Sequence, residues 1–197
     1  MLVYFEGIDG VGKSTQIELL KQDNPNLIIT KEPGGTNLGK KLRDILLNER
    51  NLHEQISKRA EILLFLADRA EHFAQIIQPN LDKIVISDRG FISGISYALA
   101  NSDKFDLNEL INLNKFALND YLGDKFVFFK ADENLILKRL KDRNTNDEIE
   151  NRGIKYLIKV QEFMEKILLN LNCDYLQIDA ALQREEIFKQ IKKFIYK

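Results

Sequence analysis

A five-stranded parallel sheet with helices on both faces, an α/β fold, is what this sequence predicts, and three observations carry that expectation. Five short runs rich in strand formers, Leu2–Phe5, Leu27–Thr30, Lys83–Ser87, Phe126–Lys130 and Asp174–Ile178, are spread along the chain. Helical patterns alternate with them, and near-continuous apolar strands between amphipathic helices suit a parallel sheet buried on both sides. The length of 197 residues fits one α/β domain over 1–197 and allows a substantial core. No internal repeat, low-complexity tract or linker divides the chain.

The first run leads directly into Glu6-Gly7-Ile8-Asp9-Gly10-Val11-Gly12-Lys13-Ser14-Thr15, which reads G-x-x-x-x-G-K-S from Gly7 to Ser14. Ile17, Leu19 and Leu20 then follow a helical pattern. A glycine-rich turn alone matches such a pattern by chance. Here strand, loop and helix stand in register, which singles out a phosphate-binding loop. Its glycines let backbone N–H groups face phosphate oxygens, and the helix that follows turns the positive end of its dipole to the same anion. Lys13 adds a mobile cation for β- and γ-phosphates and Ser14 a hydroxyl for Mg²⁺. The chain is expected to bind a nucleoside triphosphate through Gly7 to Thr15.

In an open parallel sheet, ligands collect at the carboxyl ends of the strands. The second run is followed by Lys31-Glu32-Pro33-Gly34-Gly35-Thr36, the third by Asp88-Arg89, the fourth by Asp132 and the fifth by Asp179. The longest periodic helix runs from Lys58 to Gln78 and ends at Pro79. Apolar residues wrap most of its circumference, so a central, largely buried helix is expected, with His72 on the surface or at a cap.

Composition excludes several classes. Hydrophobic residues make up 44% and charged residues 30%, ordinary for a globular protein, and 29 Lys+Arg against 30 Asp+Glu leave a net charge of −1. The pair Lys192-Lys193 reads as a solvated helix face, so nucleic acid is disfavoured as a partner. The single Cys173 excludes an internal disulfide framework and a cysteine-rich zinc site; it is expected as a small core residue before a strand in a reducing cytoplasm. The start MLVYFEG has no basic n-region and too short an apolar run for a signal peptide. No stretch has the length to cross a bilayer, so no membrane is expected as a partner.

The phosphate loop alone does not separate a kinase from a GTPase or an ATP-driven machine. Four further segments do narrow the choice: Glu32-Pro33-Gly34-Gly35-Thr36; Phe65-Leu66-Ala67-Asp68-Arg69; Ser87-Asp88-Arg89 with Ser93 and Tyr97; and Leu137 to Arg143 with the polar stretch Asn144–Glu150. Together with the loop they resemble thymidylate kinase, from Met1 into the last strand. The resemblance implies the P-loop nucleoside-monophosphate-kinase type of fold, with ATP as donor, dTMP as acceptor and Mg²⁺ as cofactor. It also implies that Glu32 and Pro33 line the monophosphate pocket, and that Phe65 stacks on thymine while Arg69, one helical turn on, hydrogen-bonds to it.

In the same family Arg89 grips the acceptor phosphate or bridges both phosphates, Asp88 holds Mg²⁺ with Ser14, and Ser93 belongs to the acceptor site. Tyr97 corresponds to the aromatic near the sugar 2′ carbon, and Asp9 to a carboxylate that contacts the acceptor's 3′ hydroxyl near the metal. Arg139 and Arg143, one helical turn apart in a lid of about 139–152, are expected to face the triphosphate, and the resemblance implies that Arg139 also stacks on adenine. The branch with Arg in the phosphate loop has it where Gly10 stands here. With Gly10 beside Arg139, Lys141 and Arg143, this chain resembles the bacterial branch that supplies catalytic arginines from the lid. Lys13, Asp9, Arg89 and Arg143 are then the catalytic candidates, Arg143 before Arg152.

The chain departs from the family pattern at four places. Lys31 stands where Arg is usual, and keeps the charge without the bidentate fork. Gly90 replaces an aromatic or His, Ser96 replaces a small apolar residue, and Glu148 follows Asp147 where the branch has Arg. The sugar-side pocket is therefore expected to be looser or filled from elsewhere.

The expected activity is transfer of the ATP γ-phosphoryl group to dTMP, giving dTDP and ADP, by a cytoplasmic homodimer. Two rivals stay open at this point: a kinase for another monophosphate such as dUMP, and a GTPase-type switch, although the chain has no N-K-x-D motif.

Overall fold

The computed structural model describes residues 1–48, 56–141 and 153–197. Five parallel strands form one sheet in the order β2-β3-β1-β4-β5: β1 (Leu2–Glu6), β2 (Ile28–Lys31), β3 (Val85–Asp88), β4 (Lys125–Lys130) and β5 (Asp174–Asp179). Each matches an expected run to within two residues at either end. β1 pairs with β3 on one side, with Phe5 opposite Asp88, and with β4 on the other, with Glu6 opposite Phe128. From β1 the chain goes to the edge strand β2, returns to β3 beside β1 and then crosses to β4 and β5, and this change of direction opens a crevice at the carboxyl ends of β1 and β3. The loop at Gly7–Ser14 and the segment Asp88-Arg89 both emerge there.

Helices cover both faces. α1 (Lys13–Asp23) packs against the C-terminal helix α8 (Arg184–Ile195), while α4 (Phe91–Asn101) packs on α7 (Ile154–Leu171). α3 (Lys58–His72) packs against α2 (Asn37–Arg43), α4 and α5 (Leu107–Ala117). Among the other described helices, α6 (Glu133–Lys141) follows β4. The core is one continuous cluster in which Leu2–Phe5, Val85, Ile86 and Phe126–Phe129 meet the inward faces of the helices. Such burial stabilises by about 25 cal/mol per Å² of apolar surface.

The long helix differs from expectation. α3 is α-helical to His72, continues as a π turn over Phe73–Ile77 and ends in a 3₁₀ turn, Gln78–Asn80, that contains Pro79. It is not largely buried: Leu63 is 60% exposed, and the fully buried side chains of α3 are Asp68, Arg69 and His72. The expectation failed because the all-round apolar pattern does not mark the inward face, which polar groups occupy instead. His72 is fully buried and not at the surface.

Cys173 is half-buried at the edge of the core, directly before β5. Gly90 has a structural reason. The Tyr4 ring of β1 stacks on Phe126 at 5.6 Å and meets Phe91 edge-on, and a Cβ on Gly90 would overlap it. The space beside Gly90 is thus taken by the Tyr4 ring. Gly90→Ala is expected to destabilise the fold by about 1–3 kcal/mol through overpacking, and Tyr4→Leu in the same chain to restore part of it. Guanidinium unfolding midpoints measure this; an unshifted midpoint for Gly90→Ala would show that the ring yields freely.

Candidate active site

The phosphate loop turns sharply out of β1. Gly7 has φ +148°, and a side chain there would come within 2.9 Å of the Phe129 carbonyl of β4, so only glycine fits. Ile8 and Val11 are buried and anchor the loop from beneath, whereas Ser14 and Thr15 are exposed at its rim. α1 begins at Lys13 with no side-chain cap and no acidic residue in its first turn. Its first N–H groups thus face the cleft, where an anion suits both the donors and the dipole. Lys13 Nζ arches back to donate to the carbonyls of Gly7 and Ile8, each at 2.9 Å. Burial, and then the neighbouring Arg89, lower its pKa to about 8.

Arg89, just past β3, adopts φ +70°, a conformation costly for a long side chain. The turn aims its guanidinium back over β1. Nη1 donates to the Gly7 carbonyl (2.8 Å) and to Ser93 Oγ (3.1 Å), and Nη2 to Asp9 Oδ1 (2.8 Å). Its Cζ lies 5.7 Å from the Tyr97 ring centroid. Burial alone would weaken its hold on the proton, but Asp9, then Tyr97 and Asp88, raise it above its ordinary value.

Ser93 is itself buried, and its hydroxyl donates to Glu6 Oε2. Glu6 is fully buried beneath this arginine, with Oε1 unpartnered among the described residues. Desolvation pushes its pKa up to about 7, against the opposing effects of Ser93, Arg89 and Lys13. Sequence reasoning had passed over Glu6; a carboxylate that closes an otherwise apolar strand was the available signal.

One polar cleft is lined by Asp9, Gly10, Gly12, Lys13, Ser14, Thr15, Lys31, Glu32, Asp88 and Arg89, and also by Arg43. Arg43 was not anticipated. It ends α2 and donates from Nη1 to the Pro33 carbonyl at 2.9 Å, which fixes it beside the loop after β2.

A second, largely apolar cleft adjoins, lined by Phe65, Arg69, Gly94, Tyr97, Phe105 and Asn114 among others. The Tyr97 hydroxyl has no partner among the described residues, and burial raises its pKa to about 12. Arg69 donates from Nε to Glu32 Oε2 (2.8 Å) and from Nη1 to Asn114 Oδ1 (2.6 Å). The other Glu32 oxygen meets His72 Nδ1 at 2.8 Å. Burial would raise the Glu32 carboxyl, but Arg69 and then His72 outweigh it and hold it below the ordinary carboxylate range. Asp68, raised by burial, accepts from the Gly34 N–H at 3.0 Å.

Arg139 of α6 closes the far side. It donates from Nη1 to the Gly10 carbonyl (3.0 Å) and from Nη2 to the Ala180 carbonyl (2.7 Å). Arg143 and Arg152, with residues 142–152 of the expected lid, lie outside the described residues.

Most of the expected residues that the structure describes thus gather over one sheet edge around two adjoining clefts, a polar one on the phosphate loop and an apolar one between α3 and α4, joined at Arg89 and Tyr97. Over residues 5–191 the chain matches the family model described as thymidylate kinase. It is 58% identical to a thymidylate kinase of Campylobacter concisus (strain 13826) over 195 residues, which is 99% of this chain and 98% of the relative. It is 56% identical to one of Campylobacter fetus subsp. fetus (strain 82-40), covering 99% and 100%. The crystal structure of thymidylate kinase from Ehrlichia chaffeensis superposes with a TM-score of 0.75 at 26% identity, over 99% of this chain and 98% of that one. The chain belongs to the thymidylate kinase family. It is an enzyme that transfers the γ-phosphoryl group of ATP to dTMP, giving dTDP and ADP on the way to dTTP.

The raised Glu6 carboxyl carries a pH signature. A folded pKa above the ordinary 4.5 favours the protonated form, so its stabilising effect is complete below about 4.5 and is lost as pH rises through about 7. Glu6→Gln, which cannot ionise, is therefore expected to melt above the wild type at pH 8. The difference is up to about 3 kcal/mol, at 1.36 kcal/mol per pH unit, and vanishes near pH 4.5. A pH-independent difference in calorimetric melting would refute the assignment.

Proposed function

We propose that the two clefts divide the reaction between donor and acceptor, with Lys13 on the ATP phosphates and Arg89 on the acceptor phosphate. The carrying observation is the pair of bonds from Arg89 to Gly7 and Asp9, which tie the acceptor-side cation to the donor loop and so bring two anions side by side. The acceptor phosphate oxygen is already nucleophilic, so the protein's work is positioning and charge stabilisation, not base catalysis.

In this scheme the loop from Gly7 to Thr15 cradles the donor phosphates. Arg139, already against Gly10, borders the adenine side, and Arg143 from the lid meets the transferring group. Arg43 joins Arg89 on the acceptor phosphate, a role supported by its lining of the same cleft. Glu32 and Pro33 form the acceptor wall, Phe65 stacks on the base, and Arg69 offers guanidinium donors to a pyrimidine 4-oxo group. Tyr97 lies against the deoxyribose and Asp9 near its 3′ hydroxyl. Ser93 acts from beneath, through Arg89.

Mg²⁺ fits the donor set. Ser14 and Asp88 offer hard oxygen ligands in the same cleft, and the buried Asp88 Oδ1 has no partner among the described residues. No cluster of three or more His, Cys, Asp or Glu able to hold a metal occurs among those residues. One carboxylate and a hydroxyl, completed by phosphate oxygens and water, is the arrangement that Mg²⁺ favours. The ion would neutralise charge on the β- and γ-phosphates.

We further propose one kinase domain over 1–197 with a lid at about 139–152, working as a homodimer in the cytoplasm. The exposed Leu63 of α3, and Phe116 on the adjoining α5 at 89% exposure, support a second copy as the partner. No helix among the described residues is long and apolar enough to cross a membrane.

Arg89→Ala is expected to lower kcat/KM by several orders of magnitude while the circular dichroism spectrum stays that of the folded enzyme; wild-type turnover would remove Arg89 from the reaction. Coupled detection of ADP should register turnover with dTMP and little without it. dUMP should be poorer only to the extent of one methyl group, ~1–3 kcal/mol.

A further inference from the structure

We propose that His72 is a positioning residue for base recognition, holding the Glu32 carboxylate so that Arg69 presents a fixed edge to the nucleobase. This rests on reading the Phe65–Arg69 cleft as the base site. A chain of side chains crosses the protein beneath that cleft. Thr30 Oγ1 meets His72 Nε2 at 2.6 Å, His72 Nδ1 meets Glu32 Oε1 at 2.8 Å, Glu32 Oε2 accepts from Arg69 Nε at 2.8 Å, and Arg69 Nη1 donates to Asn114 Oδ1 at 2.6 Å. Asn114 Nδ2 in turn donates to the Leu110 carbonyl at 2.7 Å, which fixes its amide. Glu32, Arg69, His72 and Asn114 are all buried.

The chemistry sets the direction of each bond. An ionised carboxylate only accepts, so His72 Nδ1 donates to Glu32. Neutralising a buried Glu32 needs one cation, and Arg69 supplies it. The second donor does something different: with one donor on each oxygen, the carboxylate cannot rotate about its own axis. The fork on which Arg69 Nε rests is then immobile, and Asn114 fixes the guanidinium from the other side. The remaining edge lies over Gly94, where a Cβ would come within 3.2 Å of Nη2 and 3.5 Å of Nη1. Gly94 lines the apolar cleft, so this is the edge a base would meet.

The His72 ring also supports the loop after β2. A Cβ on Gly35 would stand 2.5 Å from its Cδ2, so ring and loop backbone are in contact. One imidazole thus sets both the base-reading cation and the wall of the acceptor cleft. A donors-only edge accepts the 4-oxo group of thymine and opposes the 4-amino group of cytosine, provided that it stays in place.

The test is a steady-state comparison on the full-length enzyme. His72→Phe keeps the ring and removes both nitrogens, Thr30→Val removes only the outer partner, and His72→Asn returns an amide donor near the Nδ1 position. His72→Phe is expected to raise KM for dTMP by about tenfold or more, with KM for ATP unchanged and a smaller change in kcat. It should also narrow the dTMP-to-dCMP ratio of kcat/KM. Thr30→Val should move in the same direction by less, and His72→Asn should recover part of the loss. A purely structural role would lower the active fraction, hence kcat, and leave both KM values and the base preference alone; that result overturns the proposal. Should His72→Phe show no cooperative melt, Thr30→Val decides, and a wild-type KM and base ratio there overturn it equally. Arg69→Ala separates the two layers. If it leaves KM for dTMP unchanged, the base-site reading itself fails. If it raises KM while the His72 and Thr30 variants do not, only the role of His72 fails.

Discussion

The bond between the Arg89 guanidinium and the carbonyl of Gly7 is the constraint on which the rest of the site depends. It joins the end of β3 to the first residue of the phosphate loop after β1 at 2.8 Å. Parallel pairing of β1 with β3 brings the two strand ends level, with Phe5 opposite Asp88. The left-handed backbone at Arg89 leaves the strand path, and the side chain reaches back to Gly7. Without that turn the fold would hold a triphosphate loop and a neighbouring acidic strand end, but no cation shared between them. The strain is local, of order 1–3 kcal/mol, and is offset by bonds to Gly7, Ser93 and Asp9.

Charge beneath the clefts is out of reach of solvent and depends on protein partners for its balance. Glu6 lies below Arg89, and Glu32 below Arg69, each removed from water. The two carboxylates respond in opposite ways. Glu32 has two direct charged or donating partners and stays ionised below its ordinary pKa; Glu6 reaches its arginine only through Ser93 and is pushed up to about 7. Direct pairing outweighs desolvation in the first case, and a single relayed hydroxyl does not in the second. Arg69 is therefore held by a carboxylate that stays ionised, whereas Arg89 lies over a carboxyl whose charge depends on pH.

Much of this architecture was legible in the residues. Strand-forming runs and the loop at Gly7–Ser14 placed all five strands to within two residues at either end, because buried parallel strands leave a continuous apolar record. The polar residues after each strand pointed to one sheet edge, as an all-parallel sheet requires. What escaped was set by three-dimensional packing. Arg43 and His72 look like ordinary helix cations until β2 and its loop are laid against α2 and α3. α3 reads as a buried apolar helix, yet it turns Asp68, Arg69 and His72 inward and leaves Leu63 outside; periodicity cannot tell which face of such a helix meets the core. The replacement at Gly90 was visible, but its cause, the ring of Tyr4 from another strand, was not.

A crystal structure with a bisubstrate analogue, thymidine joined to adenosine through a polyphosphate chain, tests the central claim most directly. The donor-side phosphates should lie on Lys13 and the first turn of α1, and the thymidine-proximal phosphate on Arg89, with the thymine ring against Phe65 and its 4-oxo edge toward Arg69. A thymidine phosphate seated away from Arg89, with Phe65 touching no base, would contradict the account.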